Sequence, residues 1–91
     1  MLWVSLPEMW AAPNLSTPFL SVGDSGSAVK RLQYALYELK YYDGAIDGKY
    51  ETATYNAVLM FQDVNGLYVD GIAGQDTQRR LFSSYAVPNN I

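Results

Sequence analysis

Ile46-Asp47-Gly48-Lys49-Tyr50-Glu51-Thr52-Ala53-Thr54 and Val69-Asp70-Gly71-Ile72-Ala73-Gly74-Gln75-Asp76-Thr77 carry one phrase twice, at a constant offset of 23 residues. In each copy an apolar residue precedes Asp-Gly, a Thr follows the Gly by six positions, and Val58 or Leu81 follows that Thr by four. The pattern predicts one turn-plus-helix unit used twice. An Asp-Gly turn is a structural device, and nothing in it can break a bond. The repeat therefore points to a binding module.

Working outward, the cluster Val22-Gly23-Asp24-Ser25-Gly26-Ser27 predicts a turn whose Ser or Asp oxygens cap a first helix over residues 27–40. Val29, Leu32, Leu36 and Leu39 fall on one stripe of that helix. A second helix is expected over 52–64, burying Ala57, Val58 and Phe61 and stopping at Asn65-Gly66, and a third over 75–84. The segments Ala45-Ile46 and Tyr68-Val69 could pair as a minimal ribbon. The expected fold class is all-α, a compact three-helix bundle spanning residues 20–84. Residues 1–19 read as an irregular arm with Pro7, Pro13, Pro18, Trp3 and Trp10, and residues 85–91 as a loosely held tail.

The 91 residues suffice for one small domain, and 49% hydrophobic with 16% charged is ordinary for a globular chain. Cysteine and histidine are both absent, which removes disulfides, the commonest zinc sites and most nucleophile-base pairs. No cofactor is expected. With a net charge of −3 and six scattered basic residues, nucleic acid is a poor partner. No apolar run approaches the roughly 20 residues of a membrane span. Residues 1–12 lack a basic n-region and are interrupted by Pro7 and Glu8, so they are not read as a signal peptide.

From Leu20 to Ser84 the chain resembles the peptidoglycan-binding domain found beside catalytic domains in bacterial and phage cell-wall hydrolases. An opening Gly-x-x-Gly followed by Val-x-x-Leu-Gln is matched by Gly23, Gly26, Val29, Leu32 and Gln33. The middle phrase is matched by Tyr41, Tyr42, Gly44, Asp47, Gly48, Thr54, Ala57, Val58, Phe61 and Gln62, and the closing phrase by Asn65, Gly66, Leu67, Val69, Asp70, Gly71, Gly74 and Thr77. Glu51 departs from the pattern, standing where the family usually has Gly. If that position needs a positive φ, Glu51 is strained; if the helix starts there, it lies at the helix's positive end.

The resemblance implies a non-catalytic module that docks peptidoglycan strands or stem peptides in a shallow groove near the Asp-Gly loops, around Tyr42, Asp43, Asp47, Tyr50 and Asp70. It further implies a secreted or wall-associated setting in which the module concentrates an attached enzyme or assembly at the wall. Asp47 and Asp70 could instead pair as a catalytic acid and base, but each is better placed to accept amide hydrogens in its own turn. A calcium loop over 43–54 fails because Thr54 stands where the bidentate acid is needed. Gln33 and Gln62 are expected to satisfy loop backbone groups, with contact to a ligand's acetamido group as the alternative use of either amide.

Tyrosine is over-used, with eight residues. On a helical wheel Tyr34, Tyr37 and Tyr41 lie about 150° from the leucine stripe and should be exposed. With Trp3 and Trp10 they form a candidate partner interface, for self-association or for another protein. The rival function is accordingly an interaction adaptor in a larger secreted or phage-like complex, on the same fold.

Overall fold

Val29, Leu32 and Leu36 recur at the spacing of one helical face and are each at most 1% exposed, which fixes how the first helix sits. A computed structural model describes residues 19–90 of the protein. It contains α1 (Ser27–Glu38), α2 (Thr52–Val64) and α3 (Gln75–Leu81). Helix α1 packs against both of the others. Ala57, Val58 and Phe61 of α2 and Leu81 of α3 close on it, and Leu20, Tyr42, Tyr50 and Ala73 fill the remaining core from the loops. The fold is all-α. Trp3, Trp10 and the rest of the arm up to residue 18 lie outside the described residues.

Two helices end sooner than their apolar spacing predicts, and in each case hydrogen bonding decides the end. At α1 the chain turns left-handed at Lys40, φ 71°, with Lys40 N–H donating to Tyr37 and Tyr41 N–H to Leu36. This is a Schellman closure. Helix α2 ends the same way, with Gly66 at φ 71°, Gly66 N–H donating to Asp63 and Leu67 N–H to Gln62. Helix α3 stops at Leu81 because the Ser83 hydroxyl and amide both turn back to the Arg80 carbonyl, at 2.8 and 3.1 Å.

The helix starts also differ from expectation. Gly26 stands at the start of α1 with φ 129° and no side-chain cap. That conformation belongs to glycine, and it lets Gly26 N–H donate to the Gly48 carbonyl at 2.9 Å. Asp24, expected as a cap, instead accepts from Ser21 N–H at 2.9 Å. Glu51 begins α2 in extended backbone, φ −124°, so the glycine missing from this position costs no strain.

The two Asp-Gly loops do not pair with each other as a ribbon. Each pairs with the segment leading into α1, through antiparallel bridges Ser25 with Lys49 and Leu20 with Ala73. Residues 20–26 thus stitch both loops side by side. The Tyr50 hydroxyl adds a direct link, donating to the Gly71 carbonyl at 2.6 Å. The tail is held more firmly than its composition suggests. Val87 exchanges hydrogen bonds with the Asn65 side chain at 2.7 and 3.1 Å, and Asn89 donates to the Leu39 and Lys40 carbonyls at 2.8 and 3.0 Å. These residues close the C-terminal ends of α1 and α2, where carbonyls lack helical partners.

Candidate functional site

The repeated corners are built around two buried glutamines. Gln33 of α1 accepts from Gly48 N–H at 2.8 Å and places its amide nitrogen 3.0 Å from both the Lys49 carbonyl and Thr54 Oγ1. Gln62 of α2 accepts from Asp70 N–H and Gly71 N–H at 3.0 and 2.9 Å and lies 3.0 Å from the Ile72 carbonyl and Thr77 Oγ1. One device therefore holds both loops: an amide from the preceding helix reads the Asp-Gly backbone and the Thr of the following helix. The spacing from Gln to Thr is 21 residues in the first copy and 15 in the second. The extra residues of the first copy include Tyr41, Tyr42 and Asp43, which line a hollow there.

Asp47 and Asp70 serve these corners. Each Oδ1 accepts the amide hydrogen two residues on, Lys49 at 2.9 Å and Ile72 at 3.0 Å, and each also meets the clamping glutamine, at 3.2 and 2.9 Å. Donation from Lys49 N–H, and then from Gln33, holds the Asp47 carboxyl below its ordinary pKa. Both aspartates remain exposed, at the rims of separate hollows.

Tyr50 leaves the candidate surface altogether. It is 0% exposed, and burial, followed by the nearby Asp70 and Asp24 charges, raises its pKa. A side chain enclosed by core cannot present a face to a ligand, so the expected groove contact is replaced by a structural one. Tyr42 is also mostly buried, its hydroxyl donating to the Ala45 carbonyl. Tyr41 departs from the wheel because α1 has already ended. It is half-buried, edge-on to Phe61 at 5.4 Å between ring centroids, and burial raises its pKa. Tyr34 and Tyr37 are exposed as the wheel predicts, with ring centroids 6.3 Å apart. The neighbouring Glu38 raises the Tyr34 pKa, first by hydrogen bonding and then by charge.

Among the described residues, three hollows bear on the remaining candidates. One of about 560 Å³ lies at the end of α1, lined by Tyr37, Glu38, Lys40, Tyr41, Tyr42, Asp43 and Asn89. It gathers tyrosines expected at a protein interface together with Tyr42 and Asp43 of the expected groove. Tyr42 also lines a second hollow of about 300 Å³, against Asp47, Lys49 and the first turn of α2. The third, about 390 Å³, is formed by Phe19, Leu67, Tyr68, Asp70, Ile72 and the start of α3. Second and third are counterparts: Gly44, Ala45, Asp47, Lys49, Glu51 and Thr54 line one where Leu67, Tyr68, Asp70, Ile72, Gly74 and Thr77 line the other. Lys40, Asn89, Phe19 and Tyr68 were not singled out from sequence. Only Tyr68 had a signal, as the repeat equivalent of Ala45.

A family model described as "Putative peptidoglycan binding domain" matches residues 25–81. The chain is 40% identical over 57 residues to the N-acetylmuramoyl-L-alanine amidase CwlM of Mycobacterium tuberculosis, covering 63% of this chain and 14% of that protein. It is 36% identical over 80 residues to the spore cortex-lytic enzyme of Bacillus cereus, covering 88% and 31%. Among solved structures, the SleB N-terminal domain superposes with a TM-score of 0.71 at 39% identity, covering 72% of this chain and 90% of that one. The chain spans less than two thirds of the length of the curated relatives it matches, 58% for a protein of Kitasatospora aureofaciens and less for these two.

Proposed function

The chain belongs to the peptidoglycan-binding domain family, and from that premise we propose that it is a non-catalytic module that docks cell-wall polymer in the hollow at the end of α1. The supporting observation is the lining of that hollow, where the Tyr37 and Tyr41 rings stand beside both signs of charge, Glu38, Lys40 and Asp43. Tyrosine faces cover sugar or peptide carbons. The mixed charges suit a stem peptide, which carries carboxylates and amines of its own. Relatives named as an N-acetylmuramoyl-L-alanine amidase and a spore cortex-lytic enzyme support a role in bringing an attached activity to the wall, in a cell-wall setting. The hollow is open and shallow, so single-site affinity is weak and retention comes from many sites engaging one polymer.

Sedimentation with purified sacculi tests this. Tyr37→Ala combined with Asp43→Ala removes exposed groups outside the core, and retention should fall about tenfold, a loss of roughly 1.4 kcal/mol. Asp47→Ala is a poor probe because it also undoes a loop. Failure of the wild-type chain to sediment, or equal retention of a folded double variant, sinks the proposal. Concentration-dependent oligomers without retention would favour an interaction adaptor.

A further inference from the structure

The two Asp-Gly corners share a scaffold but have diverged in what they expose. In the hollow at the first corner, beside Asp47, the positions corresponding to Tyr68, Ile72 and Gly74 are Ala45, Lys49 and Glu51. The hollow at the second corner thus has an aromatic in place of a small residue, and apolar residues in place of a cation and an acid. Tyr68 is 84% exposed, far more than aromatic burial in a small fold leads one to expect, and Phe19 beside it is 62% exposed. The Phe19 ring lies over Gly74, where an added Cβ would sit 3.4 Å from it. Asp76, at the same hollow, places an exposed carboxylate at its edge, with Oδ1 3.4 Å from Arg79.

We propose that the Phe19-Tyr68 hollow is a separate subsite for a pyranose ring of the glycan strand. Resting on the wall-binding role above, it divides one ligand between two places: the charged hollow beside Tyr37 takes stem peptide, and the Phe19-Tyr68 hollow takes sugar. An exposed ring pair flanked by a carboxylate fits a neutral N-acetylhexosamine. Its C–H face lies on the aromatic carbons while its hydroxyls donate to Oδ2 of the acid. Neither ring is needed for the buried core, so occupancy is readable without unfolding the domain.

The probe is a peptide-free glycan strand of alternating N-acetylglucosamine and N-acetylmuramic acid, titrated into the isotope-labelled chain and followed by NMR. Backbone shifts should concentrate at residues 67–77. Tyr68→Ala and, separately, Phe19→Ala should each weaken glycan affinity about fivefold, with dispersed spectra and with sacculus retention still sensitive to Tyr37→Ala. Glycan shifts confined to residues 37–43, or affinity unchanged in both variants, overturns the subsite while leaving wall binding intact. Absence of sacculus retention by the wild-type chain overturns both.

Discussion

At the scale of residues, the side chains that resemble site residues in the sequence divide by burial. Asp47 spends an oxygen on the Lys49 amide and Gln33, so its charge contributes to folding. Its folded pKa lies below its unfolded one, and its stabilisation is therefore complete above the ordinary value of 3.8. That stabilisation is lost as pH falls through the depressed folded value. Urea midpoints measured downward from about pH 6 should decline more steeply below roughly pH 4 in the wild-type chain than in Asp47→Asn. Parallel curves would show that the hydrogen bonds to Asp47 do not favour its ionised form.

At the scale of elements, the same closure ends α1 and α2, with Lys40 in one and Gly66 in the other at φ 71°. Gly71 has a similar φ of 75°, but its surroundings differ. An added Cβ meets nothing within 4 Å at Gly66, whereas at Gly71 it would lie 2.2 Å from Tyr55 Cε1. Gly66→Ala therefore carries backbone strain alone, about 1 kcal/mol. Gly71→Ala adds a ring collision, for about 2–4 kcal/mol in total. Chemical denaturation of both variants checks the difference, and Tyr55→Ala should recover part of the Gly71→Ala loss. Equal costs would mean that the second corner has room the distances deny.

At the scale of the whole molecule, the domain is closed by the segments flanking its helices. Residues 20–26 join both corners, and Val87 and Asn89 cover the ends of α2 and α1. Deleting residues 85–91 should lower stability by roughly 1–3 kcal/mol, because it strips partners from the Leu39 carbonyl and from Asn65. Thermal unfolding of the shortened chain measures this, and an unchanged midpoint would make the tail incidental. The deletion also removes Asn89 from the wall of the hollow beside Tyr37.

The helices, the repeat and the clamping role of Gln33 and Gln62 were legible because each depends on neighbours at fixed spacing: apolar periodicity, an Asp-Gly turn, an amide facing the next loop. The burial of Tyr50 was not legible. Its neighbours in sequence are exposed polar residues, and only the approach of the second corner, with the Gly71 carbonyl waiting for its hydroxyl, makes its enclosure favourable. Tyr41 was misplaced for a related reason, since a wheel assumes a helix that Lys40 has already ended.

By itself the sequence determined three helices, their apolar faces, two like corners and membership in a wall-binding family, because local backbone preference and periodic burial act over short spans of chain. That Tyr50, Tyr42 and Tyr41 turn inward was decided only in the tertiary structure. Exposure depends on what distant segments bring alongside, and here those segments are residues 20–26, the second corner and the tail.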